Sequence, residues 1–129
     1  MRGGMGVARE VRALSDDTTF SGRADSFITA AEGYDGGLPG SHCRIIRNFG
    51  SQNEIVMAPK QRLISLTAGE RIRMETPGGG GLGAPSDRSI DDLAVDIEDQ
   101  RISVARARID YGNELTEKAL KIISKSNPE

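Results

Sequence analysis

Thr76-Pro77-Gly78-Gly79-Gly80-Gly81-Leu82-Gly83-Ala84-Pro85 divides this 129-residue chain into two parts of different character. Five glycines fall in six positions between two prolines, directly after Arg71-Ile72-Arg73-Met74-Glu75, whose apolar and charged residues alternate as in a strand with one wet face. Glycine permits close approach of another surface, but its unfolded-state freedom makes ordering such a run costly. The run therefore implies a surface pressed against it, a ligand or a packed neighbour, and a broad turn packed against another subunit is the leading expectation. Gly78, Gly80 and Gly83 also satisfy G-x-G-x-x-G. That spacing cradles a phosphate only where the last glycine opens a helix. Here Pro85 follows two residues later, the next helix signal begins near Ser89, and no crossover to a second strand follows, so the dinucleotide reading lacks its supporting fold.

Working backwards from the glycines, six short strands are predicted at the turn spacing of an antiparallel sandwich or barrel. Residues 7–14 alternate loosely, Ser15-Asp16-Asp17 turns the chain, and residues 18–28, with β-favouring Thr, Phe and Ile and a central Gly22, read as the return strand of a hairpin. Residues 32–40 hold four glycines and a proline, which neither a helix nor a central strand tolerates. Strands are then expected over 43–48, 54–58, 61–66 and 71–76, the first two joined by the hairpin-like Phe49-Gly50-Ser51-Gln52-Asn53.

Beyond Pro85 the period becomes helical. Ser89 caps a first helix with Asp91 and Asp92 in its first turn and a stripe of Ile90, Leu93, Ala94 and Ile97. Ser103 caps a second running to Tyr111, with Val104, Ala107 and Arg108 on one face and Gly112 in place to terminate it. Thr116 is expected to cap a third, in which Ala119, Leu120 and Ile123 align. The whole reads as one α+β unit: 1–77 β-rich, 78–88 a glycine/proline loop, 89–125 helical, 126–129 a frayed polar tail.

Composition narrows the function classes. Aromatics are 4%, Trp is absent and the formal charge is −2, with both signs interspersed. So few large side chains bury limited apolar area, which favours stability through association. The mixed charges give no nucleic-acid footprint, and no apolar run approaches membrane-spanning length. Without a secretory signal in Met1-Arg2-Gly3-Gly4-Met5-Gly6, a cytoplasmic location is the expectation. One cysteine, Cys43, beside one histidine, His42, leaves a metal short of ligands, and the pair reads as an ordinary strand start.

Arg2-Gly3-Gly4-Met5-Gly6-Val7-Ala8-Arg9-Glu10, residues 69–83 around the glycine run, and Ser103-Val104-Ala105-Arg106-Ala107-Arg108-Ile109-Asp110-Tyr111-Gly112 together resemble the C-terminal part of hydantoinase B. That family includes N-methylhydantoinase and 5-oxoprolinase B-type subunits and the related subunits of acetone and acetophenone carboxylases. Gly69-Glu70 and Gly83-Ala84-Pro85 depart from the family's usual G-D and G-D-P, and residues 30–40 lack its S-D-R and P-x-G-L wording.

The resemblance implies a small subunit of an ATP-dependent, multi-subunit complex. In such complexes ATP phosphorylates an otherwise unreactive oxygen to drive ring hydrolysis or carboxylation. The family's R-G-G-x-G normally lies deep inside a longer chain, whereas here it starts at Arg2, so the large upstream region and its metal and active-site residues are expected on another chain. The implied partners are hydantoinase A-like and truncated hydantoinase B-like large subunits, with ATP and a divalent metal held by them. A ketone carboxylase of the acetophenone type is the preferred branch. A hydantoinase or 5-oxoprolinase amide-ring hydrolase and a free-standing β-rich binding module are the alternatives. No catalytic set is expected in this chain, which alone should be inert. Gly78, Gly79, Gly80, Gly81 and Gly83 are the candidate channel or interface loop, and Arg2, Gly3, Gly4, Arg9 and Glu10 the candidate interface. Valine at Gly80 is expected to harm assembly or activity more than folding.

Overall fold

A computed structural model describes residues 1–126. Its described elements are six strands followed by a 3-10 turn and three helices, the α+β order that the sequence predicts. The strands are β1 (Ala8–Arg12), β2 (Thr18–Arg23), β3 (Arg44–Arg47), β4 (Ile55–Val56), β5 (Lys60–Leu66) and β6 (Arg71–Glu75). They form two antiparallel sheets, a four-stranded one in the order β1-β6-β3-β4 and a two-stranded one pairing β2 with β5.

The expected hairpin of the first two strands does not form. β1 pairs instead with β6, with Val11 opposite Ile72 and Ala8 opposite Glu75. Past β1, Ala13 donates to the Glu70 carbonyl and accepts from Gly69 N–H, each at 2.8 Å. Residues 15–18 thus carry the chain from one sheet to the other. The alternation of β1 describes a strand correctly but carries no information about its partner, which lies some sixty positions away.

β2 also stops at Arg23 rather than running to residue 28. Its register with β5 shifts between Phe20 and Gly22, and a Cβ on Gly22 would meet the Phe20 ring at 2.8 Å and Ile45 Cδ1 at 3.1 Å. The irregularity folds the Phe20 ring over its own strand, onto the core. Ala13, Ile45, Leu66 and Ile72 form that core, with Phe20, Phe27, Met57, Ile64 and Met74 packed around it. Ile45 and Ile46 point to opposite faces, yet both are buried, so β3 is covered on both sides.

The helical part has its own core. Ser89 Oγ accepts from Asp92 N–H at the start of α1 (Ile90–Glu98), and Ser103 Oγ accepts from Arg106 N–H at the start of α2 (Val104–Tyr111). Leu93 and the alanines 94, 107 and 119 meet at its centre, where small side chains let the helices approach closely. Gly112, at φ 84°, turns the chain within a single residue, and α3 (Asn113–Ser126) begins at once. Thr116 is therefore not a cap: it is buried inside α3, its hydroxyl donating to the Gly112 carbonyl at 2.8 Å. Arg108 lies outside the core and pairs with Glu117. The helix continues through residues 124–126, while 127–129 of the expected frayed tail lie outside the described residues. No described helix is long and apolar enough to cross a membrane.

Candidate functional site: a glycine layer facing an arginine-lined cleft

Residues 78–83 lie between two other glycine-rich segments of the same chain, 1–6 and 31–41. On one side Gly79 N–H donates to the Gly4 carbonyl at 3.0 Å and Leu82 N–H to the Met1 carbonyl at 2.9 Å, while the terminal amine of Met1 donates to the Leu82 carbonyl. On the other, Tyr34 N–H donates to the Gly81 carbonyl and Gly81 N–H to the Leu38 carbonyl, both at 2.9 Å; Gly78 N–H reaches Ser41 Oγ at 2.9 Å. Three segments far apart in sequence thus make one layer of backbone.

Sterics explain why that layer is glycine. A Cβ on Gly3 would overlap the Gly79 carbonyl, one on Gly37 the Gly81 carbonyl, one on Gly40 the Gly78 carbonyl, and one on Gly80 the Glu32 carbonyl. None of these four glycines has a positive φ, so the requirement is close approach and not handedness. At Gly80 the obstruction is the chain's own loop. Valine there strikes backbone inside this chain, so a cost to folding of the layer is expected beside the one to assembly or activity.

Between the layer and the helices runs a cleft of about 180 Å³ lined by Arg2, Gly79, Arg88, Arg106, Asp110 and Tyr111 among others. A second, more open depression shares Arg2, Gly79, Arg106, Asp110 and Tyr111 and adds Arg101. Behind both lies Asp96, 2% exposed, whose carboxylate receives three guanidinium groups: Arg88 Nη2 at 2.8 Å, Arg2 Nε at 3.0 Å and Arg101 Nη1 at 3.5 Å. This cluster fastens the N-terminal segment to α1. Arg106 Nε, one helix further on, is held by Asp110 Oδ2 at 2.7 Å.

Of the residues singled out from the sequence, Arg2, Gly3, Gly4 and the five glycines of the run come together here. Arg9 and Glu10 do not: they lie on β1, an edge strand exposed along its whole length, and Glu10 is engaged by Arg71 Nη1 at 3.1 Å. His42 is exposed, and Cys43 next to it is buried, which pushes its thiol pKa up. No group of three or more metal-ligating side chains occurs among the described residues. Sequence reading missed Arg88, Asp96, Arg106 and Asp110. The available signals were an acidic residue beside the apolar stripe of α1, three positions after Leu93, and an Arg–Asp pair at i, i+4.

A second polar constellation closes the far end of the sheet. Glu70 accepts from Arg47 Nε at 2.8 Å and Nη2 at 2.5 Å, from Thr67 N–H at 2.8 Å and from Asn48 Nδ2 at 3.3 Å. Chiefly through Arg47, its carboxyl pKa falls to about 2. The arrangement ties two turns together and has the geometry of a structural clamp.

Comparison with known proteins matches residues 1–85 to the family described as hydantoinase B/oxoprolinase. An uncharacterized protein of Methanocaldococcus jannaschii is 34% identical over 110 residues, covering 85% of this chain and 19% of that protein. The B-type subunit of a putative D-/L-hydantoinase from a Pseudomonas species is 33% identical over 117 residues, covering 90% of this chain and 20% of its own length. Among solved structures, the ATP-dependent caprolactamase of Pseudomonas jessenii superposes with a TM-score of 0.64 at 23% identity, over 93% of this chain and 22% of that one. The chain spans about one fifth of the length of each.

Proposed function

The chain belongs to the hydantoinase B/oxoprolinase family, and on that footing we propose that it supplies the C-terminal portion of a B-type subunit within an ATP-dependent, multi-subunit assembly. One observation carries this reading. Two of the three stretches on which the family resemblance rests meet through Arg2 to Gly6 and residues 76–83 to make a single physical object, with Gly3 seated on Gly79. A surface with no side chains and a cleft along it suits the wall of a channel or a contact with a larger subunit.

The reaction favoured for the assembly is ATP-driven opening of a cyclic amide. Two of the similar proteins bear names that put a hydantoin and a caprolactam ring as their substrates. Carboxylation of a ketone is the finer alternative, supported by the sequence resemblance alone. On this reading ATP and the metal sit on other chains; the glycine run leads only into the three-residue 3-10 turn Pro85–Asp87, which does not favour a phosphate cradle here. Both are assigned to hydantoinase A-like and truncated hydantoinase B-like partners, and this chain's part is non-catalytic.

Affinity purification through a tag on this chain tests the proposal. The expected result is recovery of larger family partners and an ATP hydrolysis by the complex that rises with a cyclic amide. Stimulation by a ketone with bicarbonate instead selects carboxylation. A lone, stable chain that stimulates nothing overturns the reading in favour of a free-standing β-rich module.

A further inference from the structure

We propose that the cleft between the glycine layer and α2 is a binding site for a small oxyanion, a carboxylate or phosphate group, held between Arg2 and Arg106. Both arginines line both depressions over Gly79. Each is tethered through Nε alone, Arg2 to Asp96 and Arg106 to Asp110. The two η nitrogens of each guanidinium therefore make no hydrogen bond among the described residues, and those are the atoms with which arginine forks a carboxylate or phosphate. Such tethering biases the direction of a long side chain before a ligand arrives, strongly for Arg2 on the buried Asp96 and more weakly for the exposed Arg106.

Arg88 also lines the cleft, its guanidinium fixed by Asp96 at 2.8 Å. The 180 Å³ cleft is lined by three guanidinium groups, Arg2, Arg88 and Arg106, and one carboxylate, Asp110, with Asp96 buried behind and paired to Arg2 and Arg88. The volume suits a single small group, and the bare glycine edge leaves its approach clear. The inference goes beyond the proposed assembly role and does not depend on which reaction that assembly performs.

The test is isothermal titration of the full chain, in whatever assembly it purifies, with inorganic phosphate and separately with acetate in chloride-free buffer. Saturable binding of at least one anion is expected, and which of the two binds more tightly identifies the group. Arg106→Ala should weaken it by about tenfold or more, as losing a charge-assisted bond does. Arg106→Lys should weaken it too, because an ammonium cannot present the fork. Arg62→Ala, on exposed β5, should leave it unchanged. Absence of binding by the parent protein overturns the proposal, and so does parental affinity in either folded Arg106 variant, checked by circular dichroism.

Discussion

The four-stranded sheet and the glycine layer both set lines of backbone side by side, yet they are specified in opposite ways. In the sheet, side chains choose the partner: Val11 faces Ile72, Ile45 and Ile72 enter the core, and Glu75 of β6 is reached by Arg44 from the neighbouring β3. In the layer, the absence of side chains does the choosing. Gly3, Gly37, Gly40 and Gly80 are each pressed against a carbonyl that any Cβ would overlap. A sheet specified by contacts tolerates change on its wet face. A layer specified by exclusion tolerates none at its contact points, however conservative the substitution looks on paper.

The sharpest way to break the comparison is to add one methyl group. Gly37→Ala, which drives a Cβ into the Gly81 carbonyl, should destabilise the chain by about 3 kcal/mol, at the upper end of overpacking costs. Gly4→Ala, in the same layer, meets nothing within 4 Å and should shift the urea midpoint hardly at all. If both behave alike, close approach is not what selects glycine.

Acid separates the two regions next. Glu70 has its pKa depressed, so its contribution is present in full above the ordinary value of 4.5 and is lost as pH falls toward about 2. Urea midpoints measured between those limits should fall for the parent protein. In Glu70→Gln that part of the decline should vanish, with the variant less stable than the parent above pH 4.5 and the two converging toward about pH 2.

The smallest effect concerns handedness. Gly112→Ala forces a side chain into φ 84° between α2 and α3, with open space around it. The cost should be about 2 kcal/mol, read as a lower melting temperature. A penalty as large as that of Gly37→Ala would mean that strain and overlap cannot be told apart in this fold.

Local signals were readable from the sequence. Ser89 and Ser103 cap helices, Gly112 ends one, and the stripe of Ile90, Leu93, Ala94 and Ile97 packs as its spacing requires. Pairings between distant segments were not. Nothing in Val7 to Leu14 announces β6 as its neighbour, and Thr116 has the composition of a cap although Gly112 has already turned the chain. The glycines were recognised as a surface under pressure, but sequence could not say that the pressing surfaces belong to this chain itself. Asp96 went unnoticed because one charge beside an apolar stripe looks like a helix edge until three arginines are seen converging on it.

The tie from Arg2 to Asp96 closes a loop of 94 residues, and the one from Met1 to Leu82 a loop of 81. Residues 1–3 therefore serve three distant places at once, the glycine run, α1 and the cleft they line, so trimming the first three residues would remove one wall of the cleft and one of the guanidinium groups held by Asp96.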